Sequence, residues 1–239
     1  MVGGGPADIA LMLVSLQCLD RLKDWQESVN RYFDSGKIRL MKTTPYHHGA
    51  LKEALVAAAE AILRRDGLSA LTLRAAAREA GVSHAAPSHH FGDLTGLLSE
   101  LAADGFRRFG VELQAAMESA AVKRWDGARA YLAFARQNPE LFQLMFRSDR
   151  LDSGRPSLRE ARRNALGLLA SSRETPVENP TLEQLGSILG GWSLIHGYTL
   201  LLLDGGLKAI LNIAPEGVTV EDLFEVMLES ADSERIGPK

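Results

Sequence analysis

Leu71 to Phe91 read LTLRAAAREAGVSHAAPSHHF, and these residues decide the fold. They divide into two short helices joined by a tight turn. Thr72 can cap the first by turning its hydroxyl onto the free amides of the opening turn, and Leu73, Ala76, Ala77 and Ala80 then fall on one face. Ala80-Gly81-Val82 is the turn. Gly81 sits where a helix C-terminus needs positive φ, a conformation that costs a residue with a Cβ roughly 1 kcal/mol or more. Ser83 offers a second N-cap, so the spacing predicts a second helix beginning at His84. The alanines of the first helix allow a close crossing, and Val82 can point back into the same small core. This is the helix-turn-helix plan, in which the second helix enters the DNA major groove by its N-terminal residues.

The flanks extend this into a helical protein. From Tyr46 to Arg65, Leu51, Leu55, Ala58 and Ile62 recur on one helix face, and Gly67 closes that helix above Leu68 and Leu71. Asp93 is placed to cap a further helix, with Leu94, Leu98, Leu101, Phe109 and Leu113 as its apolar stripe. Residues 125–137 form the next. Asn138-Pro139 is a start signal with a capping side chain and Pro at the first helical position, ahead of the dense run Leu141, Phe142, Leu144, Met145 and Phe146. Gly154-Arg155-Pro156 opens another helix with arginines on its exposed side, and residues 175–180 are a linker with two prolines. Thr181 to Gln184 spells a capping box before a strongly apolar helix reaching about Leu203. Within it Gly186, Gly190, Gly191 and Gly197 each cost roughly 1 kcal/mol relative to Ala, for which close helix approach is the simplest explanation. Thr219 to Asp222 starts a last helix with Leu223, Val226, Met227 and Ser230 on one face. No strand pattern or internal repeat is present, and the fold class is all-α, an N-terminal three-helix helix-turn-helix DNA-binding head on a multi-helix regulatory bundle.

The ordered run Asp66-Gly67, Thr72, Ala80-Gly81-Val82-Ser83 and His90-Phe91 resembles the head of TetR-type bacterial transcriptional regulators. In that family a Tyr usually stands where this chain has Ser88, and a Lys where it has Leu94, both as phosphate contacts. Tyr131-Leu132-Ala133-Phe134-Ala135, Asn138-Pro139-Glu140-Leu141-Phe142, Trp192 and His196-Gly197 are similar to the C-terminal body of the subgroup named for its Trp-His-Gly motif. The resemblance implies a homodimeric repressor, released from a palindromic operator of double-stranded DNA by a small-molecule effector. The domain division then expected is an N-terminal extension over residues 1–41, a helix-turn-helix domain over 42–92 and a helical ligand-binding and dimerisation domain over 93–239. The helices at 182–203 and 219–231 are the candidate dimer interface.

Composition permits this without requiring it. A chain of 239 residues with 46% hydrophobic and 24% charged residues is long enough for a substantial core. The net charge of −3 argues against a protein that coats nucleic acid generally, but residues 42–92 carry six Lys or Arg against four Asp or Glu. Five of the six histidines lie there too and would tend to protonate near phosphate. Cys18 alone excludes an internal disulfide and fits a reducing cytoplasm. Residues 9–19 form an apolar run of eleven, short of the roughly 20 that span a bilayer, and without signal-peptide flanks, so no membrane partner is expected. An amphipathic helix is possible over residues 8–33, and Met41, ahead of Lys-Thr-Thr-Pro, reads as the natural start of translation, with residues 1–40 an upstream extension.

Candidate DNA-binding residues are Thr72, Arg74, Ser83, His84, Ala85, Ser88, His89 and His90. His84 is placed to read base edges, while Arg74, one turn from Arg78, suits a phosphate. A metal held by His84, His89 and His90 is disfavoured, because these side chains diverge on a helix and no carboxylate or Cys completes a tetrahedral set; no cofactor is implied. Phe142, Met145, Trp192 and His196 are the candidate ligand-binding residues, as the walls of an apolar effector site between helices or as packed core. Two rivals stand beside the regulator: an enzyme, which lacks a recognisable nucleophile and base, and a ligand-binding bundle silent towards DNA.

Overall fold

The computed structural model describes residues 48–118, 125–171 and 179–233, and every regular element among them is helical. The readings made of residues 1–41 therefore lie outside the described residues, as does most of the 175–180 linker. The order is α1 (His48–Asp66), a 3-10 turn (Leu68–Ala70), α2 (Leu73–Glu79), α3 (Ala86–Phe91), α4 (Leu94–Met117), α5 (Asp126–Gln137), α6 (Pro139–Met145), α7 (Pro156–Ser171), α8 (Leu182–Leu203), α9 (Lys208–Leu211) and α10 (Val220–Ser233).

In the head, α1 buries Leu55, Ala58, Ala59, Ile62 and Leu63, and ends where Gly67, at φ 79°, turns its amide onto the Leu63 carbonyl at 3.0 Å. Thr72 caps α2 by accepting from the Ala75 amide at 3.1 Å. Gly81 takes φ 67°, and the Val82 amide reaches back to the Ala77 carbonyl at 2.9 Å, the wrap-around hydrogen bond of a glycine-terminated helix. Arg65 forks onto both carboxylate oxygens of Glu79 at 3.1 Å, tying the end of α1 to the end of α2 across the surface.

The second helix of the pair departs from its expected start. It begins at Ala86 rather than His84, Ser83 makes no side-chain cap, and His84 and Ala85 lie in the connecting turn. Pro87 is the cause. In a helix starting at His84 it would fall past the first turn, where a missing amide and the ring's clash with the carbonyl four residues back are costly. The chain instead turns through a hydrogen bond from the Ala86 amide to the Ser83 carbonyl at 3.1 Å, and Pro87 lands in the first turn of α3.

Asp93 accepts from the Gly96 amide at 2.8 Å and starts α4, the central rod, which packs along α5, α6 and α7. Its buried face is broader than the expected stripe, adding Leu97 and Phe106. Asn138 does not cap α6; its side-chain amide donates to the Phe134 carbonyl at 3.0 Å and closes α5 instead. Thr181 and Gln184 form the expected capping box on α8, and Thr219 and Asp222 do the same for α10 with a carboxylate in place of the amide. Phe224 and Leu228 are the residues α10 buries, with Phe224 against Tyr198 at 4.9 Å between rings, whereas Val226 is 59% exposed. The predicted face is thus rotated by about one position, because α10 docks on α8 and α5, held to α5 by Arg129–Glu225 and Arg136–Glu221 ion pairs.

Among the described residues, Gly186, Gly190 and Gly197 of α8 do not mark a close approach. A Cβ added at Gly186, Gly190 or Gly197 would meet nothing within 4 Å. Leu182 is 80% and Leu189 58% exposed on the same helix, which is long and apolar enough to cross a membrane by length and composition.

Candidate nucleic-acid interface

The head sorts its residues cleanly. Ala76, Ala77, Pro87 and Phe91 face its core, while Thr72, Arg74, Ser83, His84, Ala85, Ser88 and His89 are exposed along α2, the turn and α3. His90 is half-buried, its ring 6.2 Å from Phe91 and 5.5 Å from His89. Of the eight DNA-contact candidates, seven are therefore exposed. His84 and Ala85 are carried by the turn rather than by a helix. Leu94, at the position of the family's lysine, packs against the core and offers nothing to a phosphate, whereas Ser88 remains outward. Among the described residues no three His, Cys, Asp or Glu side chains converge as a metal site.

In the body, the four ligand-site candidates lie in one aromatic cluster. Phe142 and Met145 are fully buried, and Trp192 and His196 are half-buried. Phe146, which sequence reasoning placed only in a dense apolar run, packs against His196 with the rings tilted by 57° and 4.5 Å apart, and stands 6.3 Å from Trp192. Tyr131 is the hub. Its ring meets Phe109 and Phe142 edge-on at 5.0 and 5.6 Å, and its hydroxyl lies 2.7 Å from His196 Nδ1. Trp192 Nε1 donates to the same hydroxyl at 3.4 Å. An indole can only donate, so the hydroxyl accepts from Trp192, and its bond with Nδ1 runs in the direction that the imidazole tautomer sets. Burial lowers the pKa of His196 and raises that of Tyr131, the latter against an opposing hydrogen bond from Trp192, so both are neutral at pH 7. A separate groove of about 220 Å³ opens on the glycine side of α8, between Trp125, Gly186, Gly190, Leu194 and Ala231.

Sequence reasoning missed one polar cluster altogether. Glu100 of α4 is almost fully buried and receives Arg155, Ser157 and Lys52. Arg155 and Glu100 are 55 residues apart, and no local pattern links them.

An open polar face on a helix-turn-helix pair, carried on an all-helical body, defines a DNA-binding regulator. Two family models match the chain: "Bacterial regulatory proteins, tetR family" over residues 55–101 and "Tetracyclin repressor-like, C-terminal domain" over residues 126–231. A protein of unknown function from Rhodococcus sp. RHA1 is 33% identical, with a TM-score of 0.61, over 80% of this chain and 96% of that one. A TetR transcriptional regulator, also from Rhodococcus sp. RHA1, shares the fold at 17% identity and a TM-score of 0.53, over 81% of this chain and all of that one. No curated protein matches the sequence. The chain belongs to the TetR family of transcriptional regulators.

Proposed function

We propose that this regulator is a cytoplasmic homodimeric repressor that binds a pseudo-palindromic operator and leaves it when a largely apolar small molecule occupies the body, acting by binding alone and without catalysis. The observation that carries this is the exposure of Thr72, Arg74, Ser83, His84, Ala85, Ser88 and His89 on the helix-turn-helix above buried Ala76, Ala77, Pro87 and Phe91, with His90 half-buried. Arg74 holds a phosphate, and His84, raised on the turn, reads a base edge in the major groove. Two such heads on a two-fold axis meet successive major-groove faces about 34 Å apart or a multiple of it. The head at 42–92, the body at 93–239 and the extension at 1–41 are the functional units of this reading.

The two chains meet through α8, with its exposed Leu182, Leu185, Leu189 and Leu201, and α10, with its exposed Val226. The effector site is the aromatic cluster of Phe142, Met145, Trp192 and His196. Because Phe142 and Met145 are already packed, the effector enters by displacing the half-buried rings, and the neutral His196 imidazole is the polar group offered to it. An effector releases DNA only to the extent that it binds the non-binding conformation better.

Selection of bound sequences from random duplex DNA tests the reading. A recovered palindrome, bound with an affinity that falls steeply with salt as counterions are released, is the expected outcome. Enrichment of no sequence at low salt would overturn it.

A further inference from the structure

Head and body are joined through α4, through the packing of α1 on α6, and through Arg155, in the loop before α7. Its Nε donates to Glu100 Oε1 at 2.7 Å, and its Nη1 to the carbonyl oxygen of Phe91, the last residue of α3, at 3.4 Å. Glu100 also accepts from Ser157 Oγ at 2.9 Å and pairs through Oε2 with Lys52 Nζ of α1 at 2.9 Å. One carboxylate, its side chain 8% exposed, thus gathers α1, α4 and the start of α7, while its arginine partner touches the end of the recognition helix.

The same face of α4 is shaped to receive this loop. Ser99 accepts from the Asp152 amide at 2.8 Å while donating to the Thr95 carbonyl at 2.7 Å. Gly96 leaves the space through which Arg155 reaches Phe91, since a Cβ there would stand 2.8 Å from Arg155 Nη1 and collide with the Phe91 carbonyl oxygen. The far end of the loop is anchored to the body by Arg162, which donates to the Met145 carbonyl at 3.3 Å and to Ser153 Oγ at 3.5 Å. Burial acts to raise the pKa of Glu100, but the hydrogen bonds from Arg155, Lys52 and Ser157 outweigh it and hold the carboxyl below its usual range, so the cluster is ionic at neutral pH. Apolar side chains of similar volume often stabilise as well as a buried ion pair, and the better-attested use of a buried ionic group is to specify one arrangement over others.

We propose that Arg155 and Glu100 are positioning residues for DNA binding, a clamp that fixes the angle between the recognition helix and the body. It goes beyond the family's DNA binding and requires no effector; its operator arm rests on the proposed dimer, and the distance measurement does not. Displacement at the end of α6 is passed through residues 146–155 to Arg155, and from there both to the Phe91 carbonyl and to Glu100 on α4.

The test uses the full chain with Cys18→Ser and spin labels at Ser69 in the head and Arg163 in the body, both exposed, diluted in unlabelled protein so that only distances within one chain are read. Electron–electron double resonance should give one narrow distance distribution. E100Q, which keeps shape but loses the charge, and R155A should each broaden it at unchanged helix content, and R155K should fall between. On the selected operator, E100Q and R155A should lose about tenfold in affinity while binding to an isolated half-site changes by less than about twofold, since the clamp orients the head and touches no DNA. Distributions as narrow as wild type in both variants, or equal losses on full and half sites, would overturn the proposal. Should R155A fail to fold, E100Q and R155K carry the same comparison. Should wild type select no operator, the reading of the operator falls and the distance measurement still decides the clamp.

Discussion

Tyr131 is where single-residue chemistry is most exposed to experiment. Its hydroxyl joins Trp192 to His196, so Tyr131→Phe deprives two half-buried groups, the indole N–H and the imidazole Nδ1, of this partner, and about 1 kcal/mol of stability should be lost in urea unfolding. His196 adds a pH dependence whose sign follows from its lowered pKa. A neutral imidazole is favoured in the fold, so its contribution is fully present above the unfolded value of about 6.5 and disappears as the pH falls through the lower folded value. The drop in urea midpoint between about pH 8 and pH 5 should shrink in His196→Gln; an equal drop in both proteins would place the titration elsewhere. Some of this scale is legible in the sequence. Gly81 reads correctly because positive φ is a local demand, as are the caps at Thr72, Asp93 and Thr181. Ser83 reads wrongly because Pro87, four residues on, vetoes the helix that its hydroxyl would have started.

Elements succeed or fail by what they dock on. α3 has six residues, far short of the roughly 12–15 at which an isolated helix becomes even marginal, so it exists only because Pro87 and Phe91 are buried against the head. Phe91→Ala should therefore cost about 3–5 kcal/mol, the range for truncating a buried Phe, and hydrogen exchange should show residues 72–91 losing protection before α5 and α6 do. Uniform loss across the chain would mean that head and body unfold as one unit. Helix identity was legible almost throughout, since apolar spacing at 3.6 residues depends on the segment alone. The buried face of α10 was not, because Leu223, Phe224, Val226, Met227 and Leu228 offer two overlapping stripes, and only the position of Tyr198 selects between them.

At the scale of the whole molecule, the contacts between distant segments were invisible in the sequence. Nothing local announces that Arg155 reaches Glu100 and Phe91, and the glycines of α8 suggested tight packing that the described residues do not supply at Gly186, Gly190 or Gly197. That mismatch gives a clean test of assembly. Gly190 has open space around it, so Gly190→Asp should leave each chain folded while abolishing the dimer, and sedimentation should then report a mass near 26 kDa at concentrations where the unaltered protein sediments at twice that. Wild-type Tm should rise with protein concentration and that of the variant should not. A dimeric Gly190→Asp protein would move the interface off α8.

The apolar, largely uncovered surface of α8 also has a genetic consequence. Only 17% of its apolar window is buried by its own chain. If a second copy covers the remainder, pairing is blind to whether the head of that copy works. A copy disabled at Arg74 or His84 would still be chosen as a partner and would hold a good head in a dimer unable to span both half-sites. Such alleles should be dominant, silencing repression in cells that still carry an intact gene, whereas Gly190→Asp should be recessive.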